Sequence, residues 1–163
     1  IDTATEKVIE TINIQLAETA LNGTSPEGLA LSEDEQTLYV ANAHANAVAQ
    51  IQLAKTPSKV AHSKLQGFIP TGNYPSAVAV VGDRIFISNG KGTGAESSSH
   101  VLNESGFYPN MPNDKFPPSR SKTGMYSAVV VAGNISLVTA PDEPQLFAYT
   151  QTAMRNNGLI GLE

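Results

Sequence analysis

The stretch Pro26-Glu-Gly-Leu-Ala-Leu-Ser-Glu-Asp-Glu-Gln-Thr-Leu-Tyr-Val-Ala-Asn42 returns in altered form as Pro75-Ser-Ala-Val-Ala-Val-Val-Gly-Asp-Arg-Ile-Phe-Ile-Ser-Asn89. Each copy opens on proline, runs through a short apolar segment into a polar turn, and closes on β-branched and aromatic residues ending in asparagine. The prolines lie 49 positions apart and the asparagines 47, which matches the shorter turn at Gly82-Asp83 in the second copy. β-Branched and aromatic runs bounded by polar turns read as strands.

Working outward, Ile1-Asp2 reads as the end of a strand and Thr3 to Glu6 as a turn. Lys7 to Leu16 is predicted as a strand, with apolar positions at Val8, Ile12, Ile14 and Leu16. Gly28 to Ser32 reads as a short buried strand, Thr37 to Ala41 and Asn46 to Leu53 as two more, and Val60 to Ile69 as a weaker outer strand. Tyr126 to Val131 and Asn134 to Val138 are predicted as strands around the Ala132-Gly133 turn. A period of roughly 45 residues with four short strands per unit is the mark of propeller blades, meanders whose two faces are covered by neighbours. Leu29, Leu31, Val40, Val78, Val80, Ile85 and Ile87 are the expected covered positions.

The expected fold class is therefore all-β: a partial β-propeller of four-stranded antiparallel blades with one C-terminal α-helix. Residues 1–139 form the blades, with a long loop at 90–124, and residues 140–163 form the helix and tail. Asp142 is the expected N-cap, with Gln145 three residues on and Pro144 in the first turn. Leu146, Phe147, Thr150, Ala153 and Met154 share one face, Arg155 lies in the last turn, and Gly158 follows the end. This face is expected to dock on the blades or on a neighbouring domain; the alternative is an amphipathic helix offered to a partner.

Composition narrows the function. Hydrophobic residues make up 40% and charged residues 15%, a globular balance. The net charge of −5 argues against non-specific nucleic-acid binding. Cysteine is absent, which excludes disulfides, thiolate metal sites and cysteine nucleophiles. No apolar run reaches the roughly 18 residues of a membrane helix, and no signal-peptide pattern opens the chain, so any targeting segment is expected to lie outside this stretch.

Leu38-Tyr-Val-Ala-Asn42, together with Ile1-Asp-Thr-Ala-Thr-Glu-Lys-Val8, resembles the YVTN family of β-propeller repeats. Ser88-Asn-Gly-Lys-Gly92 and Pro141-Asp-Glu-Pro-Gln-Leu-Phe-Ala-Tyr-Thr150 resemble bacterial propellers fused to an alkaline-phosphatase-like domain. The resemblance implies an extracytoplasmic setting, periplasmic or secreted. No metal-binding motif of such a phosphatase lies in these residues, so no catalytic residue is carried over.

The segment Gly90 to Gly124 breaks the repeat. Its 35 residues hold five Gly, four Pro and six Ser, a loop composition, and also Phe107 and Tyr108. Two readings stand: an excursion packed over the rim, or a lid or partner-contact loop. The candidate binding residues are Asn42, His44, Asn89, Lys91, Phe107 and Tyr108, all placed at strand ends or in this loop. Gly90 to Gly94 lacks the spacing of a phosphate loop and reads as a turn. The three histidines show no metal-ligand spacing, the acidic turn Glu33-Asp34-Glu35 reads as solvated, and no serine sits in a nucleophile elbow. No cofactor, metal or catalytic residue is assigned, and whether the chain is part of an enzyme stays open.

Two functions follow as expectations. The favoured one is a non-catalytic binding or scaffolding segment of a larger exported bacterial protein, meeting a protein, a glycan or a neighbouring domain through blade loops. The alternative is an accessory part of a phosphate-ester hydrolase whose metals lie elsewhere. About two blades fall short of a closed ring, so either a larger chain or self-association is expected to cover the open faces.

Overall fold

The computed structural model describes residues 1–18, 23–55, 62–92 and 133–160. Among the described residues the regular elements are seven strands, a 3-10 turn at Ala43–Ala45 and one α-helix: β1 (Pro26–Leu31), β2 (Thr37–Asn42), β3 (Ala47–Gln52), β4 (Lys64–Pro70), β5 (Pro75–Val81), β6 (Arg84–Asn89), β7 (Asn134–Thr139) and α1 (Glu143–Asn156). The first four form one antiparallel sheet in sequence order, and β5, β6 and β7 form a second. The fold is mostly β, two stacked antiparallel sheets with a C-terminal helix, and no ring is closed among the described residues.

The repeat in sequence is a repeat in register. Pro26 pairs with Asn42 and Pro75 with Asn89, and each ladder has an irregularity immediately after its proline, at Pro26/Gly28 and Pro75/Ala77. Cross-strand partners share a face, so Gly28, Ala30, Tyr39, Ala41, Val48 and Ile69 lie on one side of the first sheet. That side packs on Val78, Val80, Ile85 and Ile87 of the second sheet. The inner strands approach closely: a Cβ on Gly28 would stand 2.9 Å from the Cα of Ala77.

The same pairing logic identifies what is uncovered. The positions in the second sheet that correspond to Gly28, Ala30 and Tyr39 are Ala77, Ala79 and Phe86. They lie on its outward side with Ile135 and Leu137. Phe86 is 38% exposed, Leu137 53% and Ile135 72%. On the first sheet the opposite side faces outward at Leu29 and Leu31, both exposed. The expectation that neighbours cover Leu29 and Leu31 therefore fails within the described residues, because no sheet precedes β1 there.

Further out, that opposite side is covered differently. Val40, Ala49, Ile51 and Phe68 pack against Leu16, with Ile12 and Ile14 beside it. Lys7 to Leu16 is not a strand, contrary to expectation. Its one ladder contact is the bridge between Asp2 and Lys7, closing a turn in which Asp2 Oδ1 accepts the amides of Ala4 and Thr5. The segment is instead pinned by side chains: Asn42 Nδ2 donates to the Ile14 carbonyl, and Glu10 accepts from both the amide and hydroxyl of Ser63.

The second sheet has three strands among the described residues, not four. Where a fourth strand would stack on β4, α1 does so. A Cβ on Gly67 would meet Thr150 Oγ1 at 2.5 Å and Leu146 Cγ at 2.9 Å, so the glycine lets the helix lie directly on the strand. Asp142 caps α1 as expected, accepting the Gln145 amide at 2.9 Å. At the other end the Gly158 amide donates to the Arg155 carbonyl and the Leu159 amide to that of Met154, a Schellman ending. Leu146 and Ala153 are buried, but Phe147 is 67% exposed, so the docked face is narrower than the sequence pattern.

The remaining differences are at boundaries. β4 begins at Lys64 and β3 excludes Asn46 and Leu53. The predicted strand at Tyr126 to Val131, and most of the 90–124 loop, lie outside the described residues.

Candidate functional site

Four connections meet at one end of the stacked sheets: the entry to β1, the β2–β3 turn, the β4–β5 link and the exit from β6. Of the five non-glycine residues with left-handed backbone among the described residues, three lie here, Ser25 (φ 52°), Asn46 (φ 48°) and Tyr74 (φ 61°). Ser25 and Tyr74 each precede the opening proline of a repeat, a position that ordinarily disfavours such geometry. Strained backbone persists only where its surroundings over-determine it, and here they do. Asn46 Oδ1 accepts the Tyr74 amide at 2.8 Å, and the Tyr74 carbonyl accepts the Gly90 amide at 2.8 Å. The Asn73 amide donates to the Gly92 carbonyl and the Lys91 amide to that of Asn73. The carbonyls of Ser25 and Thr24 accept the amides of Ala43 and His44.

This clamp presents the Tyr74 ring with a different group at each side. Lys91 Nζ sits 4.5 Å from the ring centroid, a cation–π contact. The His44 ring stands edge-on at 5.8 Å and 66°. The Tyr74 hydroxyl donates to Glu27 Oε1 at 3.3 Å. The Glu27 carboxylate raises the Tyr74 phenol above its ordinary value, with burial a smaller cause, so the hydroxyl stays protonated as a donor.

His44 Nδ1 lies 2.9 Å from the Gly23 carbonyl and 3.1 Å from Ser25 Oγ. A carbonyl only accepts, so this network assigns the proton to Nδ1 and leaves Nε2, which has no partner among the described residues, as the acceptor of the neutral ring. An ammonium, a carboxylate and an imidazole acceptor around one aromatic plate make a polar recognition surface. No group of three or more His, Asp or Glu able to hold a metal is found among the described residues.

Of the six residues singled out from sequence, His44 and Lys91 are brought together here through Tyr74. Asn42 and Asn89 are fully buried at matching strand ends. Asn42 donates to the Ile14 carbonyl, and Asn89 donates to Asn134 Oδ1 and Ser136 Oγ, both at 2.8 Å. Their own Oδ1 atoms are buried with no partner among the described residues. They fasten the sheet end from within. Phe107 and Tyr108 lie outside the described residues. Sequence reading missed Tyr74 and Glu27. The available signal was the pre-proline position of each repeat, where an aromatic stands in the second copy.

No family model matches the chain, and no curated protein sequence does. Among solved structures the chain is similar to Kuenenia stuttgartiensis hydrazine synthase, at 24% identity and a TM-score of 0.36, over 48% of this chain and 21% of that one. A likeness at that score supports nothing about activity. Among the described residues no helix is long and apolar enough to cross a membrane.

Proposed function

We propose that this chain is a non-catalytic binding or scaffolding segment of propeller type, of the YVTN-like kind its repeats resemble, within a larger exported protein. The observation that carries the reading is the outward side of the second sheet. Phe86 and Ile135 are exposed there on positions whose counterparts in the first sheet, Tyr39 and Val48, are buried against a neighbour, and Leu137 and Val81 are exposed beside them. Apolar surface gathered on one sheet side is characteristic of an interaction face.

The occupant that fits is another blade-like sheet presenting the Leu29–Leu31 kind of surface. An adjacent domain supplies one source, and a second copy of this chain supplies another. The cluster of Glu27, His44, Tyr74 and Lys91 then offers a polar contact for a protein or glycan at the loop end. Hydrogen exchange tests this reading. Amides of β6 and β7 gain protection as protein concentration rises if the face docks, and protection independent of concentration counts against it.

A further inference from the structure

A groove of about 580 Å³ lies between the outer half of the first sheet and the start of α1. Gln50 of β3 and Gln66 of β4 line one wall. Glu143, Phe147 and Gln151, spaced four residues apart along α1, line the other. We propose that this groove binds a short neutral oligosaccharide. The site is separate from the loop-end cluster and from the outward side of the second sheet, so it stands or falls independently of the function proposed above.

The wall chemistry selects the ligand. Gln50 Nε2 donates to Gln66 Oε1 at 3.0 Å, which fixes the two amides as a pair. The Gln66 Nε2 group and the whole Gln151 amide make no hydrogen bond with the described residues. Carboxamides donate and accept at once, as sugar hydroxyls do. The Glu143 carboxylate adds an acceptor. Among the described residues no lysine, arginine or histidine lines the groove, so an anionic ligand would find no counter-charge among them.

Phe147 completes the set. It is 67% exposed on a helix whose neighbouring apolar residues Leu146 and Ala153 are buried, so the core does not account for its position. An aromatic face beside free amides suits a pyranose ring, which has an apolar C–H face and a polar rim. The volume falls within the range of small-ligand sites.

An extended peptide fits less well. Strand addition to an open edge needs free backbone groups, and at this edge the Phe68 amide is already bonded to Thr150 Oγ1 at 2.9 Å.

The experiment is a titration of the whole chain, followed by NMR, with maltotriose, cellotriose and chitotriose as separate probes. The expected result is a saturable shift of the Gln66 and Gln151 side-chain amides with at least one probe. Phe147→Ala should weaken that binding at least about tenfold, a change of roughly 1.4 kcal/mol, with an unchanged melting temperature because the ring is exposed. Absence of a saturable shift with all three sugars overturns the proposal, as does equal binding by the Phe147→Ala variant.

Discussion

The hydroxyl of Thr150 accepts a hydrogen bond from the Phe68 amide at 2.9 Å and donates to the Leu146 carbonyl at 2.8 Å. One helix side chain thereby satisfies a backbone donor on the outermost strand of the first sheet and covers an edge otherwise open to pairing. Thr150→Val keeps the shape and leaves the Phe68 amide buried without a partner, a cost of about 1–3 kcal/mol. Thr150→Ser restores the hydroxyl and most of the stability. Urea unfolding of the three proteins checks this, and equal midpoints for wild type and Thr150→Val contradict it.

The contact between the two sheets depends on Gly28. The atoms a Cβ would meet are Ala77 Cα at 2.9 Å, and Ser76 O and Val78 N at 3.2 Å, all backbone. Backbone cannot rotate out of the way as a side chain can, so Gly28→Ala forces β1 away from β5. The expected loss is about 1–3 kcal/mol, typical of overpacking, and it is read from thermal or urea unfolding. Gly82→Ala provides the contrast, because nothing lies within 4 Å of its added Cβ and any effect there comes from its positive φ alone.

The pairs Pro26/Asn42 and Pro75/Asn89 made the two meanders legible, because strand type and turn length are local properties of the chain. The helix was legible for the same reason: Asp142, Gln145 and Gly158 act within one turn of its ends. Partnership between distant segments was not legible. Lys7 to Leu16 alternates like a strand, yet its anchors are Asn42 and Ser63, far along the chain. Asn42 and Asn89 ended strands in a way that suited loop ligands, and only packing showed them buried. Phe147 shared a helical face with Leu146 on paper, but the docked stripe is narrower than that face. Tyr74 went unnoticed because its role comes from a strained backbone that no periodicity reports.

Stability should fall in acid partly through Glu10. Hydrogen bonds from the Ser63 hydroxyl and then its amide lower the Glu10 carboxyl below the ordinary glutamate value, with a smaller contribution from His62. A carboxylate depressed in the folded state stabilises the fold above its unfolded value. That contribution is lost as pH falls through the folded value. Melting temperature should therefore hold at neutral pH and drop below about pH 4.3, with a smaller drop in Glu10→Gln. Identical acid profiles for the two proteins contradict the assignment. Asp34, lowered by the Ser32 hydroxyl and the Gln36 amide, acts in the same direction.

The loop-end cluster makes a specific claim about His44. Its Nδ1 faces the Gly23 carbonyl at 2.9 Å, so the neutral ring should carry its proton on Nδ1. Long-range proton–nitrogen spectra at alkaline pH distinguish the two tautomers. The Nδ1–H form is expected, and the Nε2–H form contradicts the network. Lys91→Ala should change stability by no more than about 0.5–1 kcal/mol, the worth of an exposed cation–π contact.

The most direct test of the account is sedimentation velocity of the isolated protein over a range of concentrations, beside a Phe86→Asp, Leu137→Asp variant and a Leu29→Asp variant. If, as proposed, the outward side of the second sheet docks on the Leu29–Leu31 side of a neighbour, association is head-to-tail, through two different faces of each copy. The wild-type protein is expected to associate as concentration rises, and both variants are expected to stay monomeric with their melting temperatures preserved. A wild-type protein that remains monomeric throughout, or association untouched by either variant, contradicts it.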